Sequence, residues 1–514
     1  MAEEKSFRHA VKWAYVMQGS EQGLNVLFTF MFAAILGPKD FGTVAMGMAY
    51  ILFVKLLLEQ GFLPALVQRR DLRQKHLDSV FFLNLGVSLL LTVATIGISK
   101  WWARVNHLPI LASVITALSV TLVLEALTIV QRAVLERDLD FKSFSIRSIV
   151  ANLAGGAVGL GMALKGYGVW SLVGKQLATD TLGLIVLWKL STWRPSFSFS
   201  FEAIRDLLGY SLGSFTGNLG VWLNAQIDTL IIGLFFGPVS VGLYRLAGRI
   251  PTIIVTGTTS SLQAAAFPQF CRIQDDPPEL RKNILSCFRL ASLLSIPALA
   301  AVAVMSKPLL SILGPKWMDA STAMTIVCFA AMAMPIGLFT APLLQALSKT
   351  HYLAGFEWGN AAVAACSVVV TGLLLRGQPT RAQVDGIAVA RILVAFVLSL
   401  PFILWMFRHF AGLRPLWVAR TVMPTVLSAA AMVVAVKAVS AYIVRYNLGV
   451  WGTLTIEMAV AAVTIAGIIL SLDKEVRNVV SALVGKATRW NVTQWQDKAS
   501  ISAPPESSAG ITKD

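Results

Sequence analysis

The stretch VFFLNLGVSLLLTVATIGIS, residues Val80–Ser99, contains no charged side chain. A helix needs about 20 mostly apolar residues to cross the hydrocarbon core of a bilayer, so this stretch alone can span a membrane. Similar apolar blocks occupy Ile146–Leu164 and Met458–Leu472. Of the 514 residues, 56% are hydrophobic and 14% are charged, whereas about 25% are charged in soluble domains. The sequence therefore predicts an all-α polytopic membrane protein.

Hydropathy along the chain predicts about 14 transmembrane helices. We expect them near residues 13–36, 42–66, 79–101, 110–131, 146–164, 168–188, 207–235, 240–266, 287–305, 319–346, 353–375, 385–406, 421–443 and 451–472. With the N-terminus inside, the cytoplasmic segments carry about three times as many Lys and Arg residues as the opposite side, as the positive-inside rule requires. We therefore expect a multi-pass protein of the bacterial inner membrane with both termini in the cytoplasm.

The net charge of +16 is explained by these basic cytoplasmic loops, which face anionic lipid headgroups. It does not indicate a nucleic-acid partner. The five histidines lie at or near loops without a metal-like partner at i+3 or i+4, and the four cysteines form no CxxC pair. No soluble domain that could carry catalytic groups is evident. We therefore expect no enzyme activity, no catalytic residue, no metal site and no cofactor.

A short motif recurs about 200 residues apart. Leu36–Gly42 reads LGPKDFG and Phe236–Gly242 reads FGPVSVG, so Gly-Pro-x-x-x-Gly follows both the first and the seventh predicted span. Gly-Pro pairs favour tight reversals between helices. We expect two parallel six-helix lobes around a central cavity, related by an axis along the membrane normal. The predicted N-terminal lobe is 1–206 and the predicted C-terminal lobe is 207–410, followed by two additional helices in 411–472 and a cytoplasmic, partly disordered tail in 473–514.

Charged residues inside the predicted spans indicate a hydrated cavity, because a charge at the centre of a membrane helix costs at least about 2.5–3.5 kcal/mol. Arg245 and Arg249 are four residues apart on one helix face and repel each other unless an anion lies between them. Alternatively, Arg245 extends to the membrane surface, or Asp228 neutralises one of the two arginines. Lys55 is either a cavity cation or the partner of Glu59 one turn later.

Two predicted spans carry polar stripes at helical spacing. The stripe on the first span comprises Gln18, Glu21, Gln22 and Asn25, and the stripe on the seventh includes Ser214 and Asn218. Either they form hydrogen bonds between helices or they line the cavity. Their matching positions in the repeat favour the cavity.

Five segments carry a resemblance to a known family. They are Leu36–Met46 (LGPKDFGTVAM), 65–70 (ALVQRR), 137–142 (RDLDFK), 166–173 (GYGVWSLV) and 228–233 (DTLIIG). The chain thereby resembles the Wzx-type polysaccharide flippases, in the polysaccharide-transport branch of the multidrug/oligosaccharidyl-lipid/polysaccharide exporter superfamily. The resemblance covers most of the chain and is densest in its first half.

The resemblance implies a flippase that translocates undecaprenyl-pyrophosphate-linked oligosaccharides by alternating access, for exopolysaccharide, capsule or O-antigen assembly. Expected partners are this lipid-linked substrate, the membrane and, by contact, a polysaccharide polymerase or copolymerase. We expect the diphosphate to be bound by Arg249, Arg245, Lys55 and Arg391. Asp228 or Glu21 would couple ion flow to the cycle. The alternative function is a drug or cation exporter of the same superfamily, which would need an acidic, aromatic-rich cavity.

Overall fold

The computed structural model describes residues 2–59, 63, 66, 72–138, 140–443 and 449–472, without the side chains of 2–12, 14–16, 18, 59, 141, 203, 206–218, 443 and 468–472. All regular secondary structure in these residues is helical, which confirms the predicted all-α class. The predicted tail at 473–514 lies outside the described residues.

The first part of the chain forms seven helices joined by short connections. They are α1 (Ala2–Ile35), α2 (Pro38–Glu59), α3 (Gln74–Val105), α4 (Ile110–Ala126), α5 (Ile129–Arg137), α6 (Phe141–Leu164) and α7 (Val169–Leu190). Local sequence explains several of the helix ends. Pro38 begins α2, where the missing N–H costs nothing. The side chain of Asp140 accepts a hydrogen bond from the Ser143 backbone N–H at the start of α6. α4 and α5 are bent by 42° relative to each other at the short break between them.

The next helix, α8 (Phe201–Arg272), contains the predicted spans 207–235 and 240–266 and is broken at Gly237. The φ of Gly237 is 80°, a value that favours glycine. The two limbs lie side by side. This is shown by the Tyr244 hydroxyl on the second limb, which donates a hydrogen bond to the Asp228 carboxylate on the first at 3.1 Å. The predicted reversal after the seventh span is therefore present.

The remaining helices complete the bundle and include one segmented span. They are α9 (Pro277–Val304), α10 (Ser306–Ser311), a 3-10 helix (Pro315–Ala320), α11 (Ser321–Ala331), α12 (Met334–Gly337), α13 (Thr340–Ala346), α14 (Thr350–Leu374), α15 (Thr380–Leu393), a π-helix (Val394–Ser399), α16 (Leu400–Ala411), α17 (Pro415–Ile443) and α18 (Val450–Leu472). The predicted span 319–346 is divided into short helices because Pro335 and Pro342 cannot donate backbone hydrogen bonds within it.

Ten helices of the described residues are long and apolar enough to cross a membrane, or eleven if the bent α4–α5 pair is one span. The chain is thus a multi-pass membrane protein. Each of the predicted spans overlaps helical residues. The count of fourteen and the lobe boundaries remain predictions.

The two Gly-Pro-x-x-x-Gly motifs contact each other reciprocally. A Cβ atom added to Gly42 would lie 1.6 Å from the carbonyl oxygen of Pro238, and one added to Gly242 would lie 2.0 Å from the carbonyl oxygen of Pro38. Real Cβ contacts are never this short, so both positions require glycine for the helices to approach. We call this contact the Gly-Pro contact. It joins the first hairpin to the hairpin of α8.

The 3-10 helix adds a second contact at the same end of α1. The Lys316 ammonium donates to the backbone carbonyls of Ala34 and Ile35 at 3.0 and 2.9 Å, and the Trp317 indole N–H donates to that of Ala33 at 2.7 Å. These carbonyls belong to the last turn of α1. Backbone carbonyls in the last turn of a helix have no hydrogen-bond donor within their own helix. The Gly-Pro contact and this cap together close one end of the interface between the predicted lobes.

Helices α17 and α18 pack on the outside of α9. Met432 and Val436 of α17 and Leu454 of α18 share an apolar cluster with Ile296 and Ala300 of α9. The two C-terminal helices thus lie beside α9.

Candidate functional site

A cavity of about 490 Å³ opens among α8, α11, α12, α14, α15 and α16. The charged residues that line it are Asp228, Arg245, Arg249, Glu357 and Arg391. Three arginines face two carboxylates, so the lining carries one excess positive charge. Three of the four residues predicted to bind an anion are therefore brought together here.

Arg391 is the neutralised arginine of this cavity. Its Nε lies 3.3 Å from Oδ2 of Asp228, the same oxygen that accepts the hydrogen bond from Tyr244. The pair is only partly exposed, with 25% of the Arg391 side chain and 15% of the Asp228 side chain accessible. The sequence suggested Asp228 as a partner of Arg245 or Arg249, whereas the structure pairs it with Arg391.

Arg245 and Arg249, unlike Arg391, form no ion pair with the described residues. The Arg245 Nη2 donates to the amide oxygen of Gln226 at 2.9 Å, which fixes its position and leaves its charge uncompensated. Arg249 makes no hydrogen bond and no ion pair with the described side chains. Pro251 follows two residues later and also lines the cavity. Arg249 is thus available to bind an anion that enters the cavity.

A polar network of α8, α14 and the π-helix lies at the cavity. The Asn224 amide donates to the backbone carbonyl and to the carboxylate of Glu357, both at 2.9 Å. The Asn360 amide donates to Asn224 at 3.2 Å, and the Ser399 hydroxyl donates to Asn360 at 2.8 Å. Glu357, Asn360 and Ser399 line the cavity directly. Amide, hydroxyl and carboxylate groups in such an array can exchange hydrogen bonds with sugar hydroxyls.

Sequence reasoning missed Tyr244, Gln226, Asn360 and Ser399 as parts of this site. Their types are unremarkable in a membrane helix, and nothing in their spacing separates them from residues that connect helices. One signal was available for Asn360, which follows the acidic Glu357 by three residues on the same helix.

Lys55 lies outside this cavity, in the predicted N-terminal lobe. Its Nζ is 3.5 Å from Oε2 of Glu125 and 3.9 Å from Oδ2 of Asp180. Arg132 binds the other oxygen of Glu125 at 2.8 Å. Lys55 is therefore compensated by acids of α4 and α7. The side chain of Glu59, the partner considered from the sequence, lies outside the described residues.

The predicted polar stripes are only partly described. Glu21 accepts a short hydrogen bond from the Ser148 hydroxyl of α6, Gln22 is exposed and Asn25 is partly buried. This bond fits the alternative in which the stripe connects helices at Glu21. The side chains of Gln18, Ser214 and Asn218 lie outside the described residues.

A model of the polysaccharide biosynthesis protein family matches residues 31–322, more than half of the chain. The chain belongs to this family. The match begins in α1 and ends in α11, so it contains the whole of α8 with Asp228, Arg245 and Arg249.

The chain is also similar to named relatives and to a solved structure. The succinoglycan biosynthesis transport protein ExoT of Rhizobium meliloti is 23% identical over 61% of this chain and 64% of its own length. The lipopolysaccharide biosynthesis protein WzxC of Escherichia coli is 23% identical over 66% of this chain and 69% of its own length. The lipid II flippase MurJ, in an inward closed conformation, has a TM-score of 0.72 and 11% identity over 91% of this chain and 99% of that chain.

The predicted resemblance to Wzx-type flippases is confirmed by the family match and by these relatives, and the likeness to MurJ shows a shared fold. The alignment covers somewhat less than two thirds of ExoT. ExoT is named as a transport protein and MurJ as a flippase, which agrees with the prediction that this polysaccharide biosynthesis protein is not an enzyme.

In this polysaccharide biosynthesis protein, Asp228→Ala is expected to lower the free energy of unfolding by about 1–3 kcal/mol, because Arg391 is left partly buried without its counter-charge. The effect is below that of a fully buried pair because both side chains keep some access to water. Thermal unfolding of the purified protein, followed by tryptophan fluorescence, measures it. The double variant Asp228→Ala/Arg391→Ala should lose less than the sum of the two single variants. Additive losses would show that the pair has no coupling energy.

Proposed function

We propose that this protein is a flippase that moves undecaprenyl-pyrophosphate-linked oligosaccharide repeat units across the bacterial inner membrane for exopolysaccharide, capsule or O-antigen assembly. The observation that carries the proposal is the cavity with three arginines, of which only Arg391 is neutralised. The names of ExoT, WzxC and MurJ support the same class of substrate.

Arg249 is the primary contact for the diphosphate in this proposal, since it is the cavity arginine without a described partner. Guanidinium and phosphate groups form strong, often bidentate, charge-assisted hydrogen bonds. Arg245 lies in the same cavity and adds positive potential, whereas the charge of Arg391, the other predicted contact in this cavity, is compensated by Asp228. Lys55 is the weakest of the four predicted contacts, because Glu125 and Asp180 already compensate its charge.

The sugars occupy the polar wall of Glu357, Asn360 and Ser399, while the polyprenyl chain stays in the bilayer between the lobes. This division follows from the cost of placing each part elsewhere. Sugar hydroxyls without hydrogen bonds in hydrocarbon are expensive, and a long polyprenyl chain in a hydrated cavity loses its hydrophobic stabilisation.

Transport proceeds by alternating access. With both termini in the cytoplasm, the Gly-Pro contact lies on the periplasmic side, so the described conformation is closed to the periplasm. Separation of Gly42 from Pro238, and of Gly242 from Pro38, opens that side. Repeat-built transporters bind substrate between halves that move in this way.

Asp228 is the preferred site for ion coupling, because it lines the cavity and holds Arg391. A proton on Asp228 would weaken this ion pair and change the charge offered to the substrate. Glu21 accepts its hydrogen bond from Ser148 elsewhere in the N-terminal lobe. Contacts with a polysaccharide polymerase or copolymerase complete the proposal.

The rival function, export of cationic drugs, is disfavoured by the net positive charge of the residues that line the cavity. Asp228 is already paired with Arg391, and Glu357 accepts hydrogen bonds from Asn224. The lining charges without an ion pair among the described residues are those of Arg245, Arg249 and Glu357, which sum to one positive charge. The net charge of the lining therefore repels a cationic substrate.

Deletion of the gene in its own host tests the function. We expect loss of the surface polysaccharide and accumulation of undecaprenyl-linked repeat units on the cytoplasmic face, because their export is blocked. Extraction and mass analysis of the lipid-linked material, with immunoblotting of the polymer, provide the measurement. Re-expression of the wild-type protein is the control and should restore both. Unchanged polysaccharide together with altered sensitivity to cationic drugs would support the rival function.

A further inference from the structure

The chain between α7 and α8 is a segment without regular secondary structure, residues 191–200 (STWRPSFSFS), which we call the linker. It lies outside the predicted spans, shortly before the predicted boundary between the lobes. From Ser196 to Phe201, serine and phenylalanine alternate. Successive side chains of an extended chain point to opposite sides, so the serines and the phenylalanines form two faces.

The serine face of the linker is bound to the start of α3. The Ser196 backbone N–H donates to the Asp78 carboxylate at 3.1 Å, and the Ser198 hydroxyl donates to the same carboxylate at 2.7 Å. The Ser200 backbone N–H donates to the Ser79 hydroxyl at 2.8 Å. Asp78 and Ser79 are both buried. These bonds fix the linker on the predicted N-terminal lobe.

The phenylalanine face of the linker is turned to the surroundings. The exposed fraction of the side chain is 99% for Phe197, 57% for Phe199 and 72% for Phe201, although the Phe197 ring also lies 5.6 Å from that of Phe82 on α3. Three neighbouring exposed rings are unfavourable in water, whereas aromatic side chains are stabilised at the boundary between lipid headgroups and acyl chains. This face therefore indicates that the linker lies against the bilayer surface.

A cavity of about 420 Å³ lies where α7 meets the linker. Its lining consists of the apolar residues Leu184 and Ile185, the cations Lys189 and Arg194, and Trp188. The Ile185 side chain is 45% exposed, so the apolar part of the cavity is open to the surroundings. Apolar residues, then a tryptophan and then cations are the order in which a membrane helix passes from the hydrocarbon to the headgroups.

The Arg194 guanidinium is fixed at the end of α7. Its Nη1 donates to the backbone carbonyls of Ser191 and Trp193 at 2.6 and 2.7 Å, and its Nη2 donates to that of Trp188 at 2.8 Å. These three bonds leave two of the five N–H donors of a guanidinium without a partner among the described residues. Lys189 is exposed and forms no ion pair with the described residues. The cavity thus holds two cations, and no residue that lines it is acidic.

We propose that this cavity binds an anionic phospholipid of the surrounding membrane, with Lys189 and Arg194 on its phosphate and an acyl chain along Leu184 and Ile185. The remaining N–H groups of Arg194 suit phosphate oxygens, and a guanidinium that is already fixed loses little freedom when the lipid binds. A zwitterionic lipid also carries a phosphate, but its ammonium group cancels the net attraction to the two cations. This inference concerns a membrane lipid and does not depend on the proposed function.

Native mass spectrometry of the full chain, released from detergent micelles, tests this site with phosphatidylglycerol and phosphatidylcholine of identical acyl chains. Wild type should bind phosphatidylglycerol more tightly than phosphatidylcholine. Lys189→Gln/Arg194→Gln should lower the affinity for phosphatidylglycerol by at least about ten-fold, because charge-assisted hydrogen bonds are lost. Its affinity for phosphatidylcholine should change much less. Arg104→Gln/Lys165→Gln, the matched control, removes the same two residue types at exposed positions that do not line this cavity, and should behave as wild type.

Equal affinity of wild type for the two lipids, or an unchanged preference for phosphatidylglycerol in the Lys189/Arg194 variant, would overturn the proposal. Arg194 also caps α7, so its loss is expected to lower stability. Should the double variant fail to fold, Lys189→Glu leaves this cap intact, because Lys189 makes no hydrogen bond with the described residues. Its negative charge beside the phosphate should abolish the preference for phosphatidylglycerol. A preference that survives this charge reversal would show that the lipid phosphate does not bind here.

Discussion

Arg249→Gln is expected to abolish polymer export in cells, with lipid-linked repeat units accumulating as they do in the deletion strain. Arg249 has no partner among the described side chains, so its guanidinium is the one most available to the diphosphate. Loss of a charge-assisted hydrogen bond costs about 1.5–3 kcal/mol, and a bidentate contact loses two of them. We therefore expect flipping to slow by about a hundred-fold or more. Quantification of surface polymer and lipid-linked intermediates provides the measurement.

Arg272→Gln is the matched control for this variant. Arg272 is on the same helix, at its last residue, and is exposed outside the cavity. It should export polymer at the wild-type level, which separates loss of the cavity charge from a general loss of positive charge on α8. Normal export by Arg249→Gln, at equal amounts of membrane-inserted protein, would remove Arg249 from the anion site.

Composition and periodicity were sufficient to predict the helical, multi-pass class, because hydrocarbon imposes long apolar segments on any chain that crosses it. They could not predict how the helices break. The span predicted at 319–346 consists of several short helices, although its length and mean hydropathy suit a single membrane span.

For the candidate site, the sequence predicted the charged residues but not their partners. The cost of a charge in hydrocarbon identified Asp228, Arg245, Arg249 and Arg391 one by one from the sequence. It could not identify the pairs, which form between segments far apart in the chain. Asp228 lies 163 positions before Arg391, and helical spacing cannot predict an ion pair between residues so far apart in the sequence. Lys55 likewise finds its acids on α4 and α7.

The Gly-Pro motif illustrates the same limit for the fold. Its recurrence predicted two similar reversals, and both are present. The sequence did not indicate that each motif supplies the surface on which the other packs. The backbone of Pro238 leaves no room for a side chain at Gly42, and the backbone of Pro38 leaves none at Gly242. A local turn signal therefore also encodes the closure of one end of the molecule.

Gly42→Ala is expected to prevent this closure and to stop transport. A methyl group at this position would lie 1.6 Å from the Pro238 carbonyl oxygen, and backbone atoms cannot give way as a flexible side chain can. The helices must separate, so the equilibrium moves toward the state that is open at the Gly-Pro contact. Gly242→Ala, which meets the Pro38 carbonyl in the same way, should have the same effect. Gly97→Ala on α3 has open space around its Cβ and should export polymer normally.

Cysteine labelling measures the shift directly. A reporter at Thr252, an exposed residue of the cavity lining, is introduced into a variant that lacks the four natural cysteines. A membrane-impermeant thiol reagent is then added from the periplasmic side. Because the Gly-Pro contact closes that side, the parent should label slowly and Gly42→Ala at least about ten times faster, which corresponds to a shift of about 1.4 kcal/mol. Slow labelling with normal export in both glycine variants would mean that the contact does not separate during transport.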